Sequence, residues 1–197
     1  MTASASLDGR RLRRSTNRAA VIDALLSLFA EGVYQPSANE IAERAGISPR
    51  SLFRYFDDVR DLSRAAIEHE LTKARLVEPD IDPDAPTKTK IADVVHSRVN
   101  RYEAIAPAAR AARIAAHRNP VVAQQLHQQR AHLRHELRRL FAPELDRSGN
   151  NDTTLAAIDA LCSFETYDLM RTSQNLSKAK SAAAIETALT ALLGEQR

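Results

Sequence analysis

Apolar positions recur at helical spacing along nearly the whole chain, and the breaks between periodic runs fall at glycines, prolines and capping residues. Ile22, Leu25, Leu26 and Phe29 follow an i, i+3, i+4, i+7 pattern, which predicts a first helix from Ser15 or Thr16 to Glu31, stopped at Gly32. Ser37 to Glu40 read as an S-x-x-E capping box, so a second helix begins at Ala38. Ile41 and Ala45 line its inner face, and Gly46 supplies the left-handed backbone that ends it. Ile47 closes the corner. Ser48 caps a third helix with Pro49 at its first position, where a missing N–H is harmless. Leu52 and Phe56, four apart, turn back onto the second helix, and Ala42 is small where the two cross. Each of these helices is about two turns long, too short to stand outside a compact three-helix unit. Pro49, Arg50, Ser51, Phe53, Arg54 and Tyr55 are left on faces that the core does not need. This is the pattern of a helix-turn-helix with a recognition helix suited to the major groove of DNA.

Asp57 and Asp58 open a fourth helix reaching about Val77, with Leu62, Ala65, Ala66 and His69 on its buried side. Pro79, Pro83 and Pro86, interleaved with Asp80, Asp82 and Asp84, predict a rigid acidic connector. Beyond it the spacing predicts helices over 87–106, 108–117, 120–141, 152–171 and 178–193, with Asn119 and Ser177 as caps. No run alternates as a strand would, so the fold is expected to be all-α. The expected layout is a basic N-terminal arm (1–14), a three-helix DNA-binding domain (15–60) and a helical ligand-binding and dimerisation domain (61–197). On the last two helices, Leu155, Ile158, Leu161, Cys162, Leu169, Ile185, Leu189 and Leu192 make leucine-rich stripes beside small alanines, a surface suited to a second copy of the chain. The stripes serve equally to close the monomer's own core. The case for a dimer rests on information: one recognition helix reads too few bases, whereas a two-fold dimer reads two half-sites.

Charge sharpens this picture by its placement. The net excess is only +3, but residues 1–18 hold five arginines, Arg13 and Arg14 among them, against the single acid Asp8. Such an arm directly before a helix-turn-helix suits phosphate or minor-groove contact. No uninterrupted apolar segment follows it, as a secretory signal would require, and no stretch is long and apolar enough to cross a bilayer. One cysteine, Cys162, excludes an intramolecular disulfide and fits a reducing cytoplasm.

The residues from Ala24 to Gly32, from Ile41 to Ser48, from Ser51 to Phe56, and Asp61-Leu62 are closely similar to the pattern of the tetracycline-repressor (TetR) family of bacterial transcriptional regulators. The resemblance covers about the first third of the chain. It implies a homodimeric repressor that binds a palindromic double-stranded DNA operator and is released by a small-molecule effector held in the C-terminal domain. It further implies that Ser37 and Ser48 donate to phosphate, that Arg50, Ser51 and Phe53 meet base edges, and that Tyr55 touches backbone or base. Val59 stands where the family usually carries a phosphate-gripping lysine, and Arg60 beside it is the available substitute. Arg50 is the best candidate for base readout, since a guanidinium can bond guanine O6 and N7 together; Arg54 suits a backbone clamp.

His96, Tyr102, Arg113, His117, Phe164, Tyr167 and Met170 are candidates for an effector pocket. His127, His132 and His135 share one helix, but the outer two lie roughly 12 Å apart along its axis, so no metal is expected there. The competing reading is an all-helical enzyme or ligand carrier with an incidental hairpin. Against it, the chain carries no Gly-rich phosphate loop, no H-E-x-x-H and no nucleophile in a recognisable setting; neither catalysis nor a cofactor is expected.

Overall fold

A computed structural model describes the backbone of residues 3–75, 81–147 and 151–194, and within them the side chains from Thr16 onward except those at 71 and 73–75. Among the described residues there are ten α-helices and no strand. In chain order they are α1 (Ala3–Ala30), α2 (Ala38–Arg44), α3 (Pro49–Leu52), α4 (Val59–Arg75), α5 (Thr87–Ala116), α6 (Pro120–Leu140), α7 (Ala142–Arg147), α8 (Asn151–Leu161), α9 (Phe164–Thr172) and α10 (Lys178–Leu193). The all-α expectation holds, with a helix-turn-helix near the N-terminus and helices after it. Two compact units divide the chain, residues 1–73 with 107–123, and residues 74–106 with 124–197.

The first unit is built around the stripe of α1. Val21, Leu25, Ile41, Ala42, Leu52, Leu62 and Ala66 are all removed from solvent, with Phe29 and Phe56 beside them. Ala108 and Ala111 of α5 complete this cluster. Helix α3 has only four residues, so its own hydrogen bonds cannot hold it. Burial of Leu52 and Phe56 does so instead, each worth about 1.5–3 kcal/mol.

In the second unit α10 packs on α8 and α9, and α7 packs on α8. Val95, Val99, Leu137, Phe141, Leu155, Ile158, Tyr167, Ile185 and Leu189 form the interior. One ion pair is buried with them. Lys90 donates to Glu144 Oε2 at 3.0 Å and to the carbonyls of Pro83 and Leu140, with Glu144 Oε1 also 2.9 Å from its ammonium. Thr87 adds a 2.6 Å bond to the same carboxylate, so the pair is fully hydrogen-bonded, as a buried pair must be.

Several boundaries differ from the sequence expectation. Helix α1 starts at Ala3, well before Ser15, since only Gly9 in that stretch strongly opposes helix. The helices expected over 87–106 and 108–117 are one, α5, with Pro107 inside it. An interior proline costs about 3 kcal/mol, and burial on both sides of it offsets that, with Val99 and Tyr102 before it and Ala108 and Ala111 after it. The helix expected over 152–171 is two. Ser163 breaks it by accepting from the N–H of Thr166 at 3.2 Å, capping α9. The short α7 fills a stretch to which the spacing assigns no helix, with Pro143 at a first-turn position. The expected end of the fourth helix at Val77 and the break at Pro79 lie outside the described residues.

Candidate nucleic-acid interface

The turn between α2 and α3 is a sequence of local hydrogen bonds. Ser37 Oγ accepts from the Glu40 N–H at 3.3 Å while Glu40 Oε2 accepts from the Ser37 N–H at 2.7 Å, closing the capping box. These bonds from Ser37, side chain first, hold the Glu40 carboxyl below its usual range. Ala45 caps the far end, and Gly46 turns the chain with φ +67°. Ile47 N–H then returns to the Ala42 carbonyl at 3.0 Å. Ser48 Oγ accepts from the Ser51 N–H at 3.2 Å, with Pro49 at the start of α3. Because Leu52 and Phe56 point inward, Arg50, Phe53 and Arg54 point out; the Phe53 ring is 49 % exposed, unusual for its type.

Electrostatics single out the same face. Arg44 is neutralised by Glu31 through two bonds of 2.6 and 2.7 Å and also donates to Ser27. That guanidinium lowers the Glu31 carboxyl in turn. Arg64 is held by Asp61 at 2.6 Å, and its hydrogen bond is the main reason the Asp61 carboxyl sits low. Arg50, Arg54 and Arg60, all exposed, have no acidic partner among the described residues. Two uncompensated cations, Arg50 and Arg54, on the segment that carries an exposed aromatic ring suit a polyanion, because anion binding there does not first require an ion pair to be broken.

Two contacts were not anticipated from sequence. Asn17 Nδ2 donates to the Tyr55 hydroxyl at 3.0 Å, which orients that ring and leaves its own O–H to donate elsewhere. Arg18 lies over the Phe56 ring, 4.8 Å from its centroid. Both couple α1 to the segment after α3, and no local spacing rule relates residues so far apart. Ser37 is exposed, and its hydroxyl also donates to Glu40 Oε2 at 2.7 Å within the capping box. Val59 begins α4 half-buried against the core of this unit, and Arg60 beside it is exposed. The side chains of Arg13 and Arg14 lie outside the described residues.

The expected effector set divides. Tyr102, Phe164 and Tyr167 meet in the second unit, with ring centroids 5.6 and 6.0 Å apart, and the Tyr102 hydroxyl donates to the Cys162 carbonyl at 2.7 Å. They are packed core. Tyr167 also donates to Glu103, which Arg171 holds at 3.0 Å; burial first, then Glu103, pushes the Tyr167 phenol up to about 12. Met170 is half-buried, His96 is exposed, and Arg113 and His117 belong to the first unit. The dimerisation stripe divides too. Leu155, Ile158, Cys162, Ile185 and Leu189 are buried within their own chain and Leu161 partly so. Leu169, 52 % exposed, and Leu192, 39 % exposed, are the two of the set left on the surface.

Comparison with known proteins agrees with the geometry. Residues 21–66 match the family model of the bacterial regulatory proteins of the tetR family. No curated protein matches the chain. Among solved structures, a Rhodococcus sp. protein assigned to the TetR-family transcriptional regulators is similar at a TM-score of 0.67 and 17 % identity, over 91 % of this chain and 100 % of that one. A transcriptional regulator from Rhodococcus sp. Rha1 gives 0.64 and 18 %, over 89 % and 95 %. A Streptomyces coelicolor A3(2) protein assigned as a transcriptional regulator gives 0.60 and 22 %, over 91 % and 99 %. At these identities the likeness is one of fold. No described helix is long and apolar enough to cross a membrane.

Proposed function

We propose that this chain, whose residues 21–66 match the tetR family model, is a TetR-family DNA-binding regulator, a cytoplasmic homodimeric repressor released from a palindromic operator by a small molecule. The observation that carries the DNA-facing half is the segment from Pro49 to Tyr55. Its apolar members anchor inward while Arg50 and Arg54 stand exposed without an acidic partner among the described residues. In this reading Arg50, Ser51 and Phe53 read base edges, and Ser48, Arg54 and Arg60 grip phosphates, with Pro49 setting the approach of the helix start. Tyr55, oriented by Asn17, donates to backbone or base. Arg13 and Arg14 reach the adjacent groove. Residues 15–60 act as the DNA-binding domain, and 61–197 as the domain for effector and partner.

Dimerisation follows from how little a four-residue helix can read. Leu169 and Leu192, with the small residues of α10 around Leu192, supply exposed apolar area for a second copy. Selection of bound duplexes from a random pool tests the proposal. Recovered sites should hold two inverted half-sites about one helical turn apart, and log affinity should fall steeply with log salt. Sedimentation of the free protein should give a dimer. No preference for any duplex over scrambled competitor would refute the operator; a monomer on every selected site would refute the two-fold arrangement.

A further inference from the structure

We infer that a pocket in the first unit binds a single-ring aromatic carboxylate, with Arg60 and Arg118 taking its charge. Three segments far apart in the chain form it: the connection ahead of α2, the first turns of α4, and the chain around the end of α5. Every lining residue belongs to that one unit. Leu62 and Ala66 anchor α4 in the core, and Ala108 and Ala111 anchor α5 there, so the walls stand without help from the pocket's own residues.

The polar groups of the lining suit an anion. No carboxylate is among them. Arg60 and Arg118 are both exposed, and neither side chain has an ion pair or a hydrogen bond among the described residues. A guanidinium on a long stem that is tied to nothing can turn onto a ligand without first breaking a bond. Asn119 spends its side-chain oxygen on the N–H groups of Val121 and Val122, at 3.1 and 3.4 Å, which leaves only its amide donors. Ser63 donates its hydroxyl to the Val59 carbonyl at 2.8 Å. The acids near the start of α4 are occupied elsewhere: Asp61 holds Arg64, and Asp58 accepts from the Asp61 N–H at 2.7 Å.

Size and wall chemistry define the rest of the ligand. The pocket measures about 180 Å³. A water needs roughly 10–15 Å³, and a cavity of about 150 Å³ holds benzene. One ring therefore fills the space, and an acetate-sized ion leaves most of it empty. Pro36, Val59 and Ile114 supply apolar wall, and Tyr34 a half-buried aromatic ring for an aromatic guest to pack on. An exposed ion pair contributes about 1 kcal/mol or less, so charge alone does not hold the ligand; ring burial and two guanidiniums together do.

Occupancy of this pocket has a consequence for DNA. Arg60 is one of the proposed phosphate grips, so the carboxylate and the operator draw on the same guanidinium and oppose each other reciprocally. This competition rests on the proposed function; the pocket and its ligand class do not.

The test titrates the full chain with sodium benzoate, with neutral benzamide and with sodium acetate, at constant ionic strength, by calorimetry. Benzoate should bind saturably, with the other two at least roughly fivefold weaker. Arg118→Gln removes an exposed, unpaired side chain and leaves the fold intact. It and Arg60→Gln should each weaken benzoate about threefold to fivefold, and the double variant about tenfold or more. Arg130→Gln, which loses only its surface pairing with Glu165, should change nothing. Benzamide binding as well as benzoate, acetate binding as well as benzoate, or full benzoate affinity in the double variant each overturns the inference. On a selected duplex, saturating benzoate should lower the parent's affinity and leave that of Arg60→Gln unchanged. Saturable benzoate binding with no effect on the duplex keeps the pocket and refutes the competition. Benzoate binding in a protein that prefers no duplex keeps the pocket and refutes the operator reading instead.

Discussion

Replacing Arg50 with alanine tests the proposed division of the segment from Pro49 to Tyr55 between folding and DNA reading. The side chain is exposed and makes no hydrogen bond or ion pair among the described residues, while Leu52 and Phe56 anchor the segment without it. Alanine is also the better helix former. Arg50→Ala should therefore leave the unfolding free energy within about 0.5 kcal/mol of the parent. Binding should behave differently. A guanidinium with two bonds to guanine is worth about 1–3 kcal/mol of discrimination, which corresponds to roughly 5–150-fold per half-site. With two half-sites engaged the loss on a full operator is about 2–6 kcal/mol, if the subunits contribute alike. Fluorescence anisotropy on a panel of single-base operator variants, repeated over a salt series, measures both quantities. Base readout gives loss of preference at one position per half-site and an unchanged salt slope. Uniform weakening across the panel, with the slope reduced by about 0.9 per subunit, would reassign Arg50 to a phosphate. Unchanged affinity would remove this face from the interface altogether.

Three further outcomes follow from the geometry. Gly46 holds φ +67° with open space where a Cβ would sit, so Gly46→Ala suffers backbone strain only; urea unfolding should show a loss of about 1–2 kcal/mol, smaller for Gly46→Asn, and a neutral Gly46→Ala would contradict the left-handed turn. Burial works to raise the Glu144 carboxyl, but the bonds from Thr87 and Lys90 outweigh it and hold the group below its ordinary 4.5. Its stabilisation is then complete above that pH and is lost as pH falls through the lowered folded value; Glu144→Gln, which strands Lys90, should cost about 3–5 kcal/mol at neutral pH and flatten that acid limb of the melting profile. Burial pushes the Cys162 thiol up to about 12, so a thiol reagent at pH 8 should label it only at the rate of unfolding; rapid labelling of folded protein would show the thiol accessible.

Much of the first unit was legible in the sequence because its determinants are local. The Ser37 box, the Ser48 and Ser177 caps and the left-handed Gly46 each place hydrogen-bond partners within a few residues, so spacing alone carries the information. The exposed Arg50, Phe53 and Arg54 followed from the inward period of Leu52 and Phe56. What required the tertiary structure depends on neighbours distant in the chain. Pro107 reads as a helix break, and it is overruled by burial on both sides of it. Leu155 and Leu169 belong to the same apolar stripe in sequence, yet one is core and the other surface, since the Ser163 break turns α9 away from the register of α8. Asn17 finds Tyr55 across thirty-eight positions, and Arg60 shares a pocket with Arg118 from a distant segment. A helical period states that one face is covered without stating by what; only packing settles which side chains share a space, and the charge collected in that space decides what can bind there.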